Sequence, residues 1–127
     1  MIFASAGYRV TLYDIEKSQV DKALENIALE LVQFEKDGVI RGTLTAEAQT
    51  KLISGSTNLS DCINEDCVYV QECVPENLEL KVKVWAQIDE MVKNLNTILA
   101  SSSSCIIPSK ISPNMMHKEQ FIVVHIL

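Results

Sequence analysis

The sequence predicts an α/β fold built on a parallel sheet. Short apolar segments at 9–13, 67–73, 97–101 and 121–127 have the length and composition of buried strands. The longer segments that separate them carry apolar residues at helical spacing. Strands that alternate with crossover helices pair in parallel, and the ligands of such sheets bind beyond the carboxyl ends of the strands.

Composition and length indicate a globular protein with a single domain or part of one. The chain has 127 residues, of which 47% are hydrophobic and 22% charged. A net charge of −6, with the basic residues scattered, argues against nucleic acid or an anionic membrane as partner. We expect a cytoplasmic protein, because no apolar run reaches the roughly 18 residues of a membrane span and the opening segment lacks the features of a signal peptide.

The four cysteines are expected to be reduced, structural and buried. They form no C-x-x-C pair, and no pattern of histidines completes a zinc site. We therefore predict no metal site. The residues concerned are Cys62, Cys67, Cys73 and Cys105.

The first half of the chain is predicted to contain a strand and two helices. After the strand at 9–13, a helix over 17–36 is indicated by Val20, Leu24, Ile27, Leu31 and Phe34 at helical spacing, with Ser18 as its N-cap and Asp37-Gly38 as its end. A second helix is expected from a Thr45 cap to about Ile53. The polar run SGSTNLSD that follows is predicted to be a loop.

The second half is predicted to alternate strands and helices. Pro75 ends the strand at 67–73 and suits the first turn of a helix over 76–93, whose apolar face includes Trp85 as a core residue. The strand at 97–101 runs into a serine-rich turn, and a short helix is expected around Pro108. The run at 121–127 is the last strand.

Several polar side chains lie where these strands end. Asp14 is positioned to accept hydrogen bonds from the ribose of a dinucleotide, or to act as an ordinary helix-capping residue. The serines at 101–104 suit either helix capping, the more frequent role, or contact with a substrate hydroxyl. His125 is either a core histidine or a general base. The residues alone leave these alternatives open.

Four segments carry a resemblance to one family. YDIEKSQVDKALENI, VQECVPENLELK, ASSSSCIIPSK and FIVVH follow one another in an order and spacing that resemble the lambda-crystallin and L-gulonate 3-dehydrogenase group of the 3-hydroxyacyl-CoA dehydrogenases. The resemblance implies an incomplete Rossmann-type, doubly wound parallel sheet over residues 1–127. The first strand and the glycine-rich turn would be missing, and only Gly7 precedes Asp14.

The resemblance also implies NAD as cofactor. Asp14 would hold the adenosine ribose, Glu76 and Lys81 would line the nicotinamide half, and Ser102 would lie beside the nicotinamide. Ser104 would hydrogen-bond the oxygen of a small hydroxy acid substrate.

His125 would be the catalytic base. The resemblance further implies truncation at both ends, with residues 1–6 as the tail of a first helix and with the helical domain that forms the family homodimer absent. We expect such a fragment to bind NAD weakly, because the glycine turn that supports the pyrophosphate is missing.

The turn at 102–105 bears on the substrate. Its Ser-Ser-Ser-Cys sequence resembles the gulonate group more than the Asn-Thr-Ser-Ser of acyl-CoA members. This favours L-gulonate oxidised at its 3-hydroxyl. A 3-hydroxyacyl-CoA substrate and a non-catalytic, crystallin-like chain are the alternatives.

Overall fold

The computed structural model describes residues 1–125, and it divides into two units at Cys62–Ile63. All strand pairs in both units are parallel, as predicted. The last two positions of the predicted strand at 121–127 lie outside the described residues.

The first unit contains a two-stranded sheet and four helices. In chain order these are α1 (Ile2–Ser5), β1 (Val10–Tyr13), α2 (Lys17–Lys36), α3 (Ala46–Lys51), β2 (Ile53–Ser56) and α4 (Leu59–Cys62). β1 pairs with β2, with Val10 opposite Ile53. The buried apolar residues of the first unit are Ala4, Val20, Leu31 and Ala46.

Two predictions for this unit are wrong. The run SGSTNLSD is no loop, because residues up to Ser56 form β2 and α4 begins at Leu59. Gly55 lets β2 pass close beneath α2, since a Cβ there would lie 2.2 Å from Cγ1 of Val20. A small polar segment thus becomes a strand through tertiary packing.

The start of α2 also differs from the prediction. Glu16, and not Ser18, is the N-cap, and Ser18 lies inside the helix. The Asp14 carboxylate accepts the Glu16 backbone N–H at 2.9 Å, which fixes the turn before the helix. Gly38, at φ +69°, follows the helix end as expected. The Thr45 cap is confirmed, with its hydroxyl accepting the Ala48 N–H.

The second unit contains a three-stranded sheet. In chain order it has β3 (Tyr69–Glu72), α5 (Leu78–Met91), β4 (Ile98–Ser101), α6 (Pro108–Ile111), a 3-10 turn (Lys118–Gln120) and β5 (Phe121–Val123). The strand order is β3-β4-β5. The predicted strands and helices are all present, with shorter bounds, and Asn77 caps α5 through its side chain.

The core of the second unit lies between α5 and the sheet. Trp85 is fully buried, as predicted, and its ring meets Phe121 edge to face at 4.8 Å between centroids. Leu99 and Ala100 of β4 are also fully buried. This packing fixes the three strands whose carboxyl ends carry the candidate site.

Candidate functional site at the strand ends

The four serines at 101–104, the first of which ends β4, each have a different side-chain partner. The Ser101 hydroxyl donates to Glu72 at 2.6 Å, and the Ser103 hydroxyl donates to Glu76. Ser102 accepts from a glutamine of β3, and Ser104 contacts His125. The predicted helix-capping role is therefore wrong, because Ile107 precedes α6 without any side-chain cap. The run forms a turn whose hydroxyls contact two carboxylates, an amide and an imidazole.

Glu72 anchors the first serine through a buried carboxylate. Its two oxygens accept four hydrogen bonds, from Lys81 Nζ at 2.8 Å, the Val74 N–H at 2.6 Å, Trp85 Nε1 at 3.1 Å and the Ser101 hydroxyl. The side chains of Glu72 and Lys81 are each 1% exposed. A carboxylate bonded in this way holds the end of β3 and the start of the turn in one arrangement.

Glu76 holds the second half of the turn. It accepts the Ser103 hydroxyl and the Cys105 backbone N–H, and it lies 3.9 Å from Lys81 Nζ. The hydrogen bond from Ser103 lowers the pKa of the Glu76 carboxyl, and the Cys105 N–H and the Lys81 charge lower it further against an opposing effect of desolvation. Glu76 is thus a carboxylate at neutral pH.

His125 and Ser104 form a pair at the ends of β5 and β4. The Ser104 hydroxyl lies 3.2 Å from Nδ1 of His125, and the same nitrogen lies 3.3 Å from the Ser102 carbonyl oxygen. Because a carbonyl only accepts, a hydrogen on Nδ1 satisfies the Ser102 contact and leaves Nε2 with its lone pair. Both side chains are exposed. This geometry provides a proton acceptor beside a hydroxyl donor.

One face of β3 adds a chain of neutral polar groups. The Tyr69 hydroxyl donates to Gln71 Oε1 at 2.6 Å, and Gln71 Nε2 donates to the Ser102 hydroxyl oxygen at 2.7 Å. Cys73 Sγ lies 3.2 Å from the same oxygen. Sequence reasoning missed Tyr69 and Gln71. The available signal was a glutamine within an apolar strand.

The structure brings most of the predicted site residues together in the second unit. Four of them, Glu76, Ser102, Ser104 and His125, belong to one group of side chains, which we call the strand-end cluster. The cluster comprises Tyr69, Gln71, Glu72, Cys73, Glu76, the serines at 101–104, Cys105 and His125. Lys81 is enclosed beneath it, with its ammonium on Glu72 and on the Val74 carbonyl at 3.0 Å.

Asp14 lies in the first unit, directly after β1. One of its carboxylate oxygens holds the Glu16 N–H, as in the capping interpretation, and the side chain is half-buried. An acceptor-only carboxylate at a strand end also has the chemistry that a ribose diol requires. Its ribose role stays a prediction.

None of the four cysteines is buried as expected, since Cys62 and Cys67 are half-buried. Cys73 and Cys105 are exposed, in contrast to the expectation, because both belong to the open strand-end cluster. Burial raises the pKa of the Cys67 thiol. Within residues 1–125 no group of three or more His, Cys, Asp or Glu side chains is arranged to hold a metal ion.

A separate apolar cavity of about 260 Å³ lies in the first unit. It is lined by α1, the end of α2 and the following loop, and includes Leu31, Phe34 and Val39. None of the predicted site residues lines it. Among the described residues, no helix combines the length and the apolar character needed to cross a bilayer.

Comparison with known proteins decides the family. The family model described as the NAD-binding domain of 3-hydroxyacyl-CoA dehydrogenase matches residues 1–127. The chain belongs to the 3-hydroxyacyl-CoA dehydrogenase NAD-binding domain family. The resemblance seen in the sequence is thereby confirmed. NAD is the cofactor that such a domain serves.

Relatives of this dehydrogenase family include lambda-crystallins. The chain is 51% identical over 125 residues to the lambda-crystallin homolog of Mus musculus and 50% identical to the lambda-crystallin of Oryctolagus cuniculus, in each case over 98% of this chain. It spans 39% of the length of both relatives. A probable 3-hydroxyacyl-CoA dehydrogenase of Caenorhabditis elegans is 30% identical over 131 residues, which cover 98% of this chain and 41% of that protein.

Solved dehydrogenase structures share the fold. The 3-hydroxybutyryl-CoA dehydrogenase of Escherichia coli superimposes with a TM-score of 0.87 at 26% identity, over 98% of this chain and 25% of that chain. The (S)-3-hydroxybutyryl-CoA dehydrogenase of Ralstonia eutropha gives 0.83 at 31% identity, over 98% of this chain and 42% of that chain. The Rossmann-type class is therefore confirmed.

Proposed function

We propose that this domain serves an NAD-dependent dehydrogenase that oxidises a 3-hydroxy acid, with L-gulonate as the substrate at its 3-hydroxyl. The observation that supports it best is the contact between Ser104 and His125 at the ends of β4 and β5. A hydroxyl donor beside an imidazole is suited to bind an alcohol oxygen and to remove its proton.

The residues of the strand-end cluster suit the reacting end of the cofactor and the substrate. NAD, when bound, supplies the acceptor for the hydride that leaves the substrate carbon. Nε2 of His125 takes the proton of the substrate hydroxyl as the carbonyl forms. Ser104 donates a hydrogen bond to that same oxygen and orients it, and the Ser102 carbonyl holds the imidazole through Nδ1.

The preference for a small polyhydroxy acid rests on two further points. The turn at 102–105 is Ser-Ser-Ser-Cys, and both the Ser104 hydroxyl and the Ser102 carbonyl contact the imidazole of His125. The identity to the lambda-crystallins also exceeds that to the nematode 3-hydroxyacyl-CoA dehydrogenase. The proposal includes Asp14 as the residue that holds the adenosine ribose.

The test uses NADH formation in the longest gene product that contains these 127 residues. L-gulonate should support a higher kcat/KM than 3-hydroxybutyryl-CoA, whereas the opposite order would favour the acyl-CoA alternative. His125→Gln should abolish turnover, and Ser104→Ala should reduce it by about 10²-fold or more.

His117→Gln is the matched control. His117 is the other histidine of the chain, and its imidazole contacts Asp89 at 2.9 Å, outside the strand-end cluster. The His117→Gln variant should retain the kcat of the wild type. Full activity of the His125 variant would reject the proposed base. No NADH with either substrate from a folded protein would favour the non-catalytic alternative.

A further inference from the structure

We propose that Gln71, fixed by Tyr69, is a positioning residue that orients the Ser102 hydroxyl so that it donates its hydrogen to an acceptor oxygen of a bound molecule. The acceptor chemistry is a carbonyl or carboxylate oxygen, supplied by the nicotinamide carboxamide or by the hydroxy acid. The inference rests on the proposed function for the identity of the bound molecule.

Tyr69 sets the orientation of the glutamine amide. The two residues are two positions apart on β3, so their side chains share one face of the strand. The Tyr69 hydroxyl donates to Gln71 Oε1 at 2.6 Å. Burial raises the pKa of the Tyr69 phenol, with Cys73 adding to the effect, so the phenol keeps its proton at neutral pH. The amide oxygen is therefore committed to Tyr69.

The NH₂ group of the Gln71 amide can only donate hydrogen bonds. Gln71 Nε2 lies 2.7 Å from the Ser102 hydroxyl oxygen and 3.5 Å from the Val124 carbonyl, next to His125 in the chain. A side chain of β3 thus reaches both the serine turn and the end of β5, although β4 separates the two strands in the sheet. This arrangement links Ser102 to the end of β5, next to the proposed base His125.

The hydrogen of the Ser102 hydroxyl therefore needs an acceptor. The oxygen of this hydroxyl already accepts from Gln71, and Cys73 Sγ also lies within hydrogen-bond distance, at 3.2 Å. Sulfur is a weak acceptor. As part of this proposal, Ser102 is the donor in its contact with this sulfur in the free protein, and a bound oxygen offers a stronger acceptor to the same half-buried hydroxyl.

The free 127-residue chain tests the orientation through the reactivity of Cys73. A hydrogen bond from Ser102 stabilises the reactive thiolate, so Ser102→Ala, Gln71→Glu and Tyr69→Phe should each slow the alkylation of Cys73 by iodoacetamide. Gln71→Glu acts because a carboxylate accepts the Ser102 hydrogen itself. Ser102→Thr keeps the hydroxyl and should keep the rate.

The rate is measured by peptide-resolved mass spectrometry, with exposed Cys105 as internal reference. Gln120→Glu is the matched control, because the Gln120 amide donates to the carbonyls of Asn94 and Thr97 and, among the described residues, makes no hydrogen bond to Ser102 or Cys73. Unchanged or faster alkylation of Cys73 in a folded Ser102→Ala chain overturns the inference. Slowing in Ser102→Ala without slowing in Gln71→Glu also overturns it, since the glutamine would then orient nothing.

The longest gene product identifies the bound oxygen. Gln71→Glu should raise either the Kd for NAD, measured by calorimetry, or the KM for L-gulonate by about five- to tenfold, as expected for one lost hydrogen bond. The first result assigns the carboxamide and the second the substrate. A change in neither overturns the ligand part. Failure of the wild-type protein to form NADH refutes the proposed function and leaves the alkylation result standing.

Discussion

Breaking the buried ion pair between Lys81 and Glu72 should strongly destabilise the second unit. Lys81→Met leaves the Glu72 carboxylate buried without its counter-charge, and such a loss costs about 3–5 kcal/mol. Three other donors, from Val74, Trp85 and Ser101, still reach the carboxylate. These hydrogen bonds offset part of the penalty, so we expect a loss at the lower end, about 3 kcal/mol.

Urea unfolding followed by tryptophan fluorescence measures this loss directly. Trp85 is the single tryptophan, is fully buried and bonds to Glu72, so it reports on the right unit. The control is Lys51→Met, which breaks an exposed pair with Glu47 and should leave the urea midpoint nearly unchanged. The two lysine changes remove the same charge from opposite environments.

A double variant separates charge from packing. Glu72→Gln with Lys81→Met removes both charges of this pair, and an amide oxygen in the place of Glu72 Oε2 still accepts from Trp85 and Ser101. We expect it to lose about 1–2 kcal/mol relative to the wild type, less than Lys81→Met alone. A loss below about 1 kcal/mol for the single variant, or a double variant less stable than the single, would refute the reasoning.

Two further predictions concern packing and pH. Gly55→Ala should cost about 1–3 kcal/mol, because its Cβ would lie 2.2 Å from Val20 Cγ1, and added Val20→Ala should recover part of the loss in thermal unfolding. Glu76→Gln should lower stability at neutral pH. Since folding lowers the Glu76 pKa, the advantage of the wild type is present above the unfolded pKa of about 4.3 and disappears as pH falls through the folded value. A difference in urea midpoints that stays constant down to acid pH would contradict this.

The predicted elements succeeded where local patterns were strong. The helical spacing of α2 and α5 and the apolar runs of β1, β3, β4 and β5 identified these elements, because period and burial are properties of a short window of sequence. The strand β2 was missed, since ISGS has little apolar character of its own. Its strand conformation comes from pairing with β1 and from a glycine that fits beneath α2.

In the candidate site, too, some residues could be predicted from the sequence and others could not. Ser104, His125 and Glu76 could be named from strand ends and from the family resemblance, and the structure brings them into one cluster. Tyr69 and Gln71 could not, because their role depends on which face of β3 meets the serine turn. Exposure of Cys73 likewise depends on that turn.

By itself, the sequence determined most of the strands and helices, though not β2 and α4, together with the parallel α/β class and the strand ends at which chemistry is placed. Only the tertiary structure decided which partner each serine has, that Lys81 is enclosed against Glu72, and that Gln71 reaches the end of β5. The reason is physical: periodicity records which face of an element is apolar, whereas hydrogen bonds between distant residues depend on the register and packing of several elements at once.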